Sequence, residues 1–236
     1  MTKFKFVPGE VTFLNEYSNV MKPVAVSLDI LQGEDKAFMG ILLPIISVCT
    51  TKLKILKEST LTYCAPLIDA LIKGIEKRFS SQLEDMDCLL ASGFHPQFKL
   101  TWFKSDENKR RKVEKKMIQL VNEKISINMA QSTSGSDEEE SADSFFKDLH
   151  KTARKTNQGE RLVKNYLEGP VSVPLPSPSS FPCQPFKDLF IEYNTAIPSS
   201  AAVERMFSLG KDVLRPKRAS LSDKHFEMLV FLKGKL

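Results

Sequence analysis

The 236-residue sequence has few residues of the types that commonly mark a metal site, a redox centre or a disulfide framework. Its four cysteines are scattered along the chain: Cys49, Cys64, Cys88 and Cys183. Its three histidines stand apart from them: His95, His150 and His225. Because no C-x-x-C pair or Cys/His cluster is present, we expect no metal site and reduced thiols, as in a nuclear or cytoplasmic protein.

Strand-like alternation and long apolar runs are also scarce. The nearest approach to a strand is Val171-Ser172-Val173, which lies among prolines and is too short to supply a sheet. We recognise no uninterrupted apolar run of membrane length and no secretory leader, so we expect a soluble, intracellular protein without a membrane partner. These absences predict a mainly α-helical chain.

Apolar residues at three- and four-residue spacing predict three helices in the N-terminal half. They cover Glu10 to about Gln32 with a kink at Pro23, about Lys36 to Lys57 with an irregularity at Pro44, and about Ala65 to Gln82. The core face predicted for the first helix consists of Val11, Leu14, Tyr17, Met21, Val24, Leu28 and Leu31.

Changes in composition divide the chain into five segments. We predict a helical region at 1–130, an acidic disordered linker at 131–143, a helical segment at 144–168, a Pro-rich connector at 169–185 and a C-terminal region at 186–236. The acidic segment lacks apolar residues that could anchor it, and the prolines favour an extended connector.

Two segments carry residue types suited to nucleic acids. The aromatic residues Phe94, Phe98, Trp102 and Phe103 could stack on bases, although such a cluster more often packs a turn onto a helical core. The basic run Lys109-Arg110-Arg111-Lys112 could bind phosphates. It also begins an amphipathic helix, so a solvated helix face is an equally good interpretation.

The C-terminal stretch Asn194 to Leu236 has the most specific pattern. A helix is predicted to begin near Ser199, with an apolar face made of Val203, Met206, Phe207, Gly210, Val213 and Leu214. A second helix follows the N-cap Ser222, where Leu221 can pack against Phe226. Because this helix is apolar nearly all round, it needs cover on more than one side, which either a partner chain or its own core could provide.

These residues resemble the C-terminal region of the hAT transposase superfamily. The matching elements are the A-x-E-R-x-F-S helix at Ala202 to Ser208, the basic turn Arg215 to Arg218, the helix start Leu221-Ser222 and the end of the final helix at Leu229 to Lys233. Weaker similarities lie upstream, at Leu14 to Pro23, Leu31 to Glu34 and Phe94 to Phe103.

The resemblance implies a helical insertion-domain-like array followed by a C-terminal dimerisation region, as remnants of a ribonuclease-H-like fold. In that family two aspartates and a late glutamate hold two divalent cations, and Glu204 matches the glutamate. The aspartates belong before the region that aligns with Leu14, and one carboxylate cannot hold two metal ions. We therefore expect a truncated or domesticated relative that is not an enzyme, with Glu204 vestigial and with no cofactor or small-molecule substrate.

The predicted function is protein dimerisation, with itself or with a related hAT-derived protein. The predicted interface consists of Leu214, Leu221, Phe226, Leu229, Val230 and Leu232. The first alternative is a DNA-binding nuclear protein that uses Lys109 to Lys112 together with Lys211, Arg215, Lys217 and Arg218, although a net charge of +5 is too small to require it. The second is an active fragment of a DNA transposase.

Overall fold

The structure, a computed structural model, describes residues 5–33, 38–103, 106–132, 158–171, 178–214 and 221–234. These ranges contain α-helices and short 3-10 helices and no strand, so the mainly α class is confirmed. The helices are α1 Pro8–Leu31, α2 Leu42–Lys57, α3 Ala65–Glu84, α4 Met86–Phe94, α5 Glu107–Ser132, α6 at 158–168, α7 Gln184–Asn194, α8 Ala201–Val213 and α9 Asp223–Lys233.

Several sequence predictions concern residues outside the described ranges. These are 133–143 of the acidic linker, 144–157 of the next segment, 172–177 of the connector and the basic turn at 215–218. The first two residues of the predicted linker, Gln131 and Ser132, are instead the end of α5. The described part of the connector is not entirely extended, because Pro178–Ser180 forms a 3-10 helix. Phe181 and Cys183 also pack against the main core, which fixes the chain before α7.

The first helix contacts the cores through only part of its predicted face, at Val24 and Leu31. Its buried residue is Val20, and Val24 packs beside it, whereas Val11, Leu14, Tyr17 and Leu28 are 43% to 49% exposed. The prediction was wrong for these four residues because α1 contacts the rest of the described structure mainly along α2. That contact covers one narrow stripe of a helix whose apolar residues are spread more widely around its axis.

A carboxylate sets the rotation of α1 about its axis. The Glu16 side chain accepts hydrogen bonds from the backbone N–H groups of Thr62, Tyr63 and Cys64 at 2.8, 2.8 and 3.0 Å. These donors precede α3, and their bonds lower the pKa of Glu16. Since Val20 lies one turn beyond Glu16, the same face of α1 reaches the small core formed with α2 and α3.

The main core is built around α4, which the sequence analysis did not predict. Every residue from Cys88 to Phe94 is buried, and α4 contacts α2, α3, α5 and α7. A helix surrounded by other helices has no polar face, so it lacks the 3.6-residue alternation from which amphipathic helices are predicted. Its N-terminus is capped by Asp85, whose side chain accepts from the Asp87 N–H group at 3.1 Å.

A buried asparagine joins three elements of this core. Asn194, at the end of α7, is 3% exposed. Its Oδ1 accepts from the Gly40 N–H at 2.8 Å, and its Nδ2 donates to the Ala91 carbonyl at 3.0 Å. A Cβ at position 40 would lie 2.4 Å from the Ala91 oxygen, so only glycine allows the Met39–Ile41 3-10 helix to approach α4 this closely.

The second helix begins later than predicted. The chain forms the 3-10 helix Met39–Ile41 before α2 starts at Leu42. Pro44 therefore lies in the first turn of α2, where an N–H group has no helical partner. For this reason Pro44 does not interrupt the helix.

One stretch of the described residues, Met39–Lys57, has the length and composition of a membrane span, with a mean hydropathy of 1.7. Lys52 and Lys54 interrupt its apolar residues, so it does not stand out in the sequence as an uninterrupted apolar run. Half of it is buried inside the fold, where Leu43, Ile46 and Leu53 belong to the two cores. It is therefore weak evidence for a membrane, and the structure is compatible with a soluble protein.

Candidate functional site

The C-terminal helix pair, α8 and α9, carries the candidate site. The side chain of Ser199 accepts from the Ala201 N–H at 3.1 Å at the start of α8. Ser222 is the N-cap residue of α9, as predicted, although its hydroxyl bonds to the His225 ring at 2.7 Å. The beginnings of both helices therefore lie within two residues of the predicted positions.

The two helices pack against each other at a glycine. The Phe226 ring would lie 3.3 Å from a Cβ at Gly210, so the absent side chain lets α9 approach α8. Val213 is 3% exposed, and Lys233 lies 3.4 Å from Asp212. The helix pair also contacts the N-terminal part of the chain: Arg205 of α8 donates to the Gln32 carbonyl, just after α1, at 3.1 Å.

A groove of about 370 Å³ runs between α8 and α9. It is lined by Met206, Phe207, Gly210, Phe226, Glu227, Val230 and Phe231. Phe207 is 69% exposed and Phe231 is 60% exposed, so aromatic rings form much of its accessible surface. Among the described residues that line the groove, Glu227 is the one that carries a charge, and it is exposed.

The opposite side of α9, which we call the outer side, is also apolar. It carries Met228, Leu229 and Leu232, which are 57%, 36% and 53% exposed. Met228 is two residues from both Phe226 and Val230, the residues that face α8, and so points roughly away from that helix. One side of α9 is thus covered by α8, while the outer side remains accessible within the described structure.

The predicted interface residues divide between these two surfaces. Phe226 and Val230 line the groove, Leu229 and Leu232 lie on the outer side, and Leu214 is 57% exposed just after α8. Leu221 is partly buried. Sequence reasoning did not include Met206, Phe207 and Phe231, although helical periodicity had placed the first two on the apolar face of α8.

Glu204, which matches the late glutamate of the hAT family, is exposed on α8. The Ser200 hydroxyl donates to its Oε1 at 2.5 Å, which is a local helix contact. Among the described residues, no group of three or more histidines, cysteines, aspartates or glutamates is placed to hold a metal ion. The described surroundings of Glu204 therefore offer no ligand set for a divalent cation.

The basic run at the start of α5 is partly occupied by contacts within the chain. Lys109 donates to the Leu83 carbonyl and lies 2.8 Å from Glu84. Arg110 and Arg111 lie 3.9 and 3.3 Å from Glu107.

The remaining predicted nucleic-acid contacts do not form one described surface with this run. Lys112 on α5 and Lys211 on α8 are exposed. Arg215, Lys217 and Arg218 lie outside the described residues. Among the described residues, the predicted nucleic-acid contacts that lie together are the four that are adjacent in sequence, Lys109 to Lys112.

The aromatic cluster packs the turn after α4 onto the core. Phe94 is fully buried, Phe98 lies against the His95 ring at 4.8 Å, and the rings of Trp102 and Phe103 are 4.3 Å apart. These rings fill space between helices and form no continuous exposed stacking surface. Of the two interpretations, the packing role agrees with the observed contacts.

A buried lysine in the same turn fastens α6 to the core. Lys99 has a φ of 51° and is 3% exposed. Its Nζ donates to the carbonyls of Gly169 and Pro170 at 2.8 and 3.0 Å and lies 4.9 Å from the centre of the Tyr166 ring. Desolvation lowers the pKa of Lys99. The carbonyl bonds compensate for part of that cost and complete the end of α6.

A second cleft, of about 480 Å³, lies between α2, α3 and the start of α5. Its charged groups contact one another or the backbone: Lys54 is 3.9 Å from Glu76, and Asp106 accepts from the Lys109 N–H at 2.9 Å. Its lining combines both charge signs with hydroxyls and aliphatic groups. This mixture favours no particular ligand, and the groove between α8 and α9 is the better defined site.

Comparisons with models of protein families, with curated proteins and with solved structures find no significant match to this chain. The relationship to hAT transposases therefore remains a prediction from the residues of the C-terminal region.

Proposed function

We propose that this chain is a non-catalytic protein, related to hAT transposases, that acts by dimerising through its C-terminal helix pair. In this proposal its helices are remnants of a ribonuclease-H-like transposase, and the protein is nuclear. The observation that carries the proposal is the exposed apolar surface of α8 and α9. It lies on both sides of α9, in the segment where the family resemblance is strongest.

The amount of this surface supports a stable protein contact. Eight large apolar side chains of the pair are 36% to 69% exposed: Val203, Met206, Phe207, Leu214, Met228, Leu229, Phe231 and Leu232. If a large apolar side chain offers roughly 150 to 200 Å² when fully exposed, they present on the order of 700 Å² together. This area is divided between the two sides of α9, so each side is a patch near the lower end of the ~300–600 Å² range in which the largest patch of a monomer is often functional. Together the two sides approach the ~800 Å² that each partner buries in a standard interface.

The lack of catalysis is proposed from the environment of Glu204. Two-metal strand cleavage requires several oxygen ligands around a pair of cations. The Glu204 carboxylate instead accepts a hydrogen bond from Ser200 on the preceding turn. A glutamate in this setting serves the local helix and does not need a metal ion.

The test is the solution mass of the purified chain, measured by size-exclusion chromatography with light scattering. We expect a dimer of about twice 26.7 kDa. The double variant Phe207→Asp/Leu229→Asp, which places a charge on each side of α9, should be a monomer with unchanged helical circular dichroism. The control Ile191→Asp alters a residue of α7 that is 52% exposed and lies outside the helix pair, so it should remain a dimer. A monomeric wild-type chain would refute the proposal.

A further inference from the structure

We infer that the groove between α8 and α9, and not the outer side of α9, forms the contact between two copies, with Phe207 of each copy inserted into the groove of the other. The inference rests on the proposed function, because it specifies which side of the helix pair a second copy covers. It also assigns a central role to Phe207, which was not among the interface residues predicted from sequence.

The groove side has the two shapes that a symmetric contact requires. In a two-fold dimer the same surface must contact itself, so it must contain both a projection and a recess that accepts it. Phe207 lines the groove and is also the most exposed of the large apolar side chains in α8 and α9, at 69%, so most of its ring is available to a second copy. The recess of about 370 Å³ lies beside it, with Gly210 and Phe226 in its wall. One surface therefore supplies both parts.

The chemistry of the groove also distinguishes it from the outer side. Phe207, Phe226 and Phe231 all line the groove, whereas the outer side carries Met228, Leu229 and Leu232. Aromatic side chains at the centre of an interface carry much of its binding energy, since they bury a large area with few rotatable bonds. A Phe207 ring inserted into the partner's groove can also pack on the groove's aromatic rings in the offset geometry that aromatic pairs prefer.

The charge distribution is compatible with this arrangement. Glu227 is exposed at the edge of the groove, so its carboxylate can stay in water when the apolar centre is covered. An apolar centre surrounded by a polar rim is the usual anatomy of a protein interface. The described lining of the groove can therefore be covered by a second copy without burying an unpaired charge.

The experiment compares two matched aspartate variants in the full-length chain. Phe207→Asp places a carboxylate at the groove, and Met228→Asp places one on the outer side at a residue of similar exposure, 57% against 69%. The dissociation constant of the dimer is measured by dilution with light scattering, and circular dichroism checks that each variant keeps its helices. The milder variant Phe207→Ala separates loss of the ring from the effect of the added charge.

We expect the loss of one ring to raise the dissociation constant of the dimer by about thirtyfold. Because a symmetric dimer contains the ring twice, Phe207→Ala should raise the measured constant on the order of a thousandfold. Phe207→Asp should be monomeric, and Met228→Asp should keep the wild-type constant. A dimer that survives Phe207→Asp, or one that Met228→Asp dissociates, overturns the inference while leaving dimerisation itself intact. A wild-type monomer overturns the proposed function as well, so the two failures are distinguishable.

Discussion

Acidification should unfold this protein in part through one buried histidine. His95 is 1% exposed, at the end of α4. The rings of Phe38, Phe98 and Phe190 surround its imidazole, with centroids 4.8 to 6.0 Å away. Its Nδ1 accepts from the Gln97 N–H at 3.3 Å, so the neutral imidazole is the form that fits this site. Burial lowers the pKa of His95 from 6.5 to about 4.

The direction and size of the effect follow from proton linkage. Between pH 6.5 and 4 the unfolded chain binds a proton at His95 that the folded chain does not, so the free energy of unfolding falls as the pH falls. The stabilisation is fully present above pH 6.5, and its loss ends near pH 4, where the folded form also protonates. The whole window corresponds to about 3 kcal/mol, of which about 2 kcal/mol is lost between pH 7 and pH 5.

Equilibrium urea unfolding at pH 7, 6 and 5, at one protein concentration, provides the assay. The variant His95→Gln keeps a polar acceptor but does not titrate, so it should lose about 2 kcal/mol less than the wild type over this range. Other titrating groups are shared by both chains and cancel in the difference.

Parallel plots of unfolding free energy against pH for the wild type and His95→Gln would refute this prediction. That result would mean that His95 binds a proton in the folded protein as easily as in the unfolded chain. The aromatic enclosure would then be open to water, contrary to the burial of the ring. A lower but parallel curve would show that glutamine costs packing energy without any linkage to pH.

Two further substitutions test the buried hydrogen bonds of the main core. Asn194→Ala removes both the acceptor for the Gly40 N–H and the donor to the Ala91 carbonyl. The free energy of unfolding in urea should therefore fall by about 2–4 kcal/mol. A loss below about 1 kcal/mol would show that these groups find other partners. Tyr166→Phe keeps the ring but removes the hydroxyl that donates to the Phe94 carbonyl at 2.9 Å. This variant should be about 1–2 kcal/mol less stable in thermal unfolding, because the Phe94 carbonyl would stay buried without this hydrogen bond. Unchanged stability would contradict the prediction.

The sequence was a good guide to local structure where helices are amphipathic and capped. The bounds of α1 and α3 lie within two residues of the predicted ends, and Ser222 begins α9 as predicted. These features depend on residues within a few positions of one another. Apolar spacing and capping side chains act over one or two turns, so they can be recognised in the linear chain.

The sequence was a poor guide where a distant segment determines the role of a residue. Lys109 belonged to a basic run that could bind phosphate, yet its amine binds the end of α3. Asn194 stood at the start of the C-terminal pattern, yet its side chain bonds to Gly40, 154 positions away. Such partners come together only when the helices pack, and nothing in the local sequence indicates them.

The amino-acid sequence by itself therefore determined the helical class, the ends of α1 and α3, the start of α9 and the apolar character of the C-terminal helices. Only the tertiary structure decided which apolar faces are covered. Val20 is buried and Leu14 is exposed on the same helix. In the C-terminal pair, Phe226 packs on Gly210, whereas Phe207 lines the groove and is 69% exposed. The physical reason is that hydrophobicity is a property of each side chain, whereas burial depends on the neighbouring surface that excludes water from it.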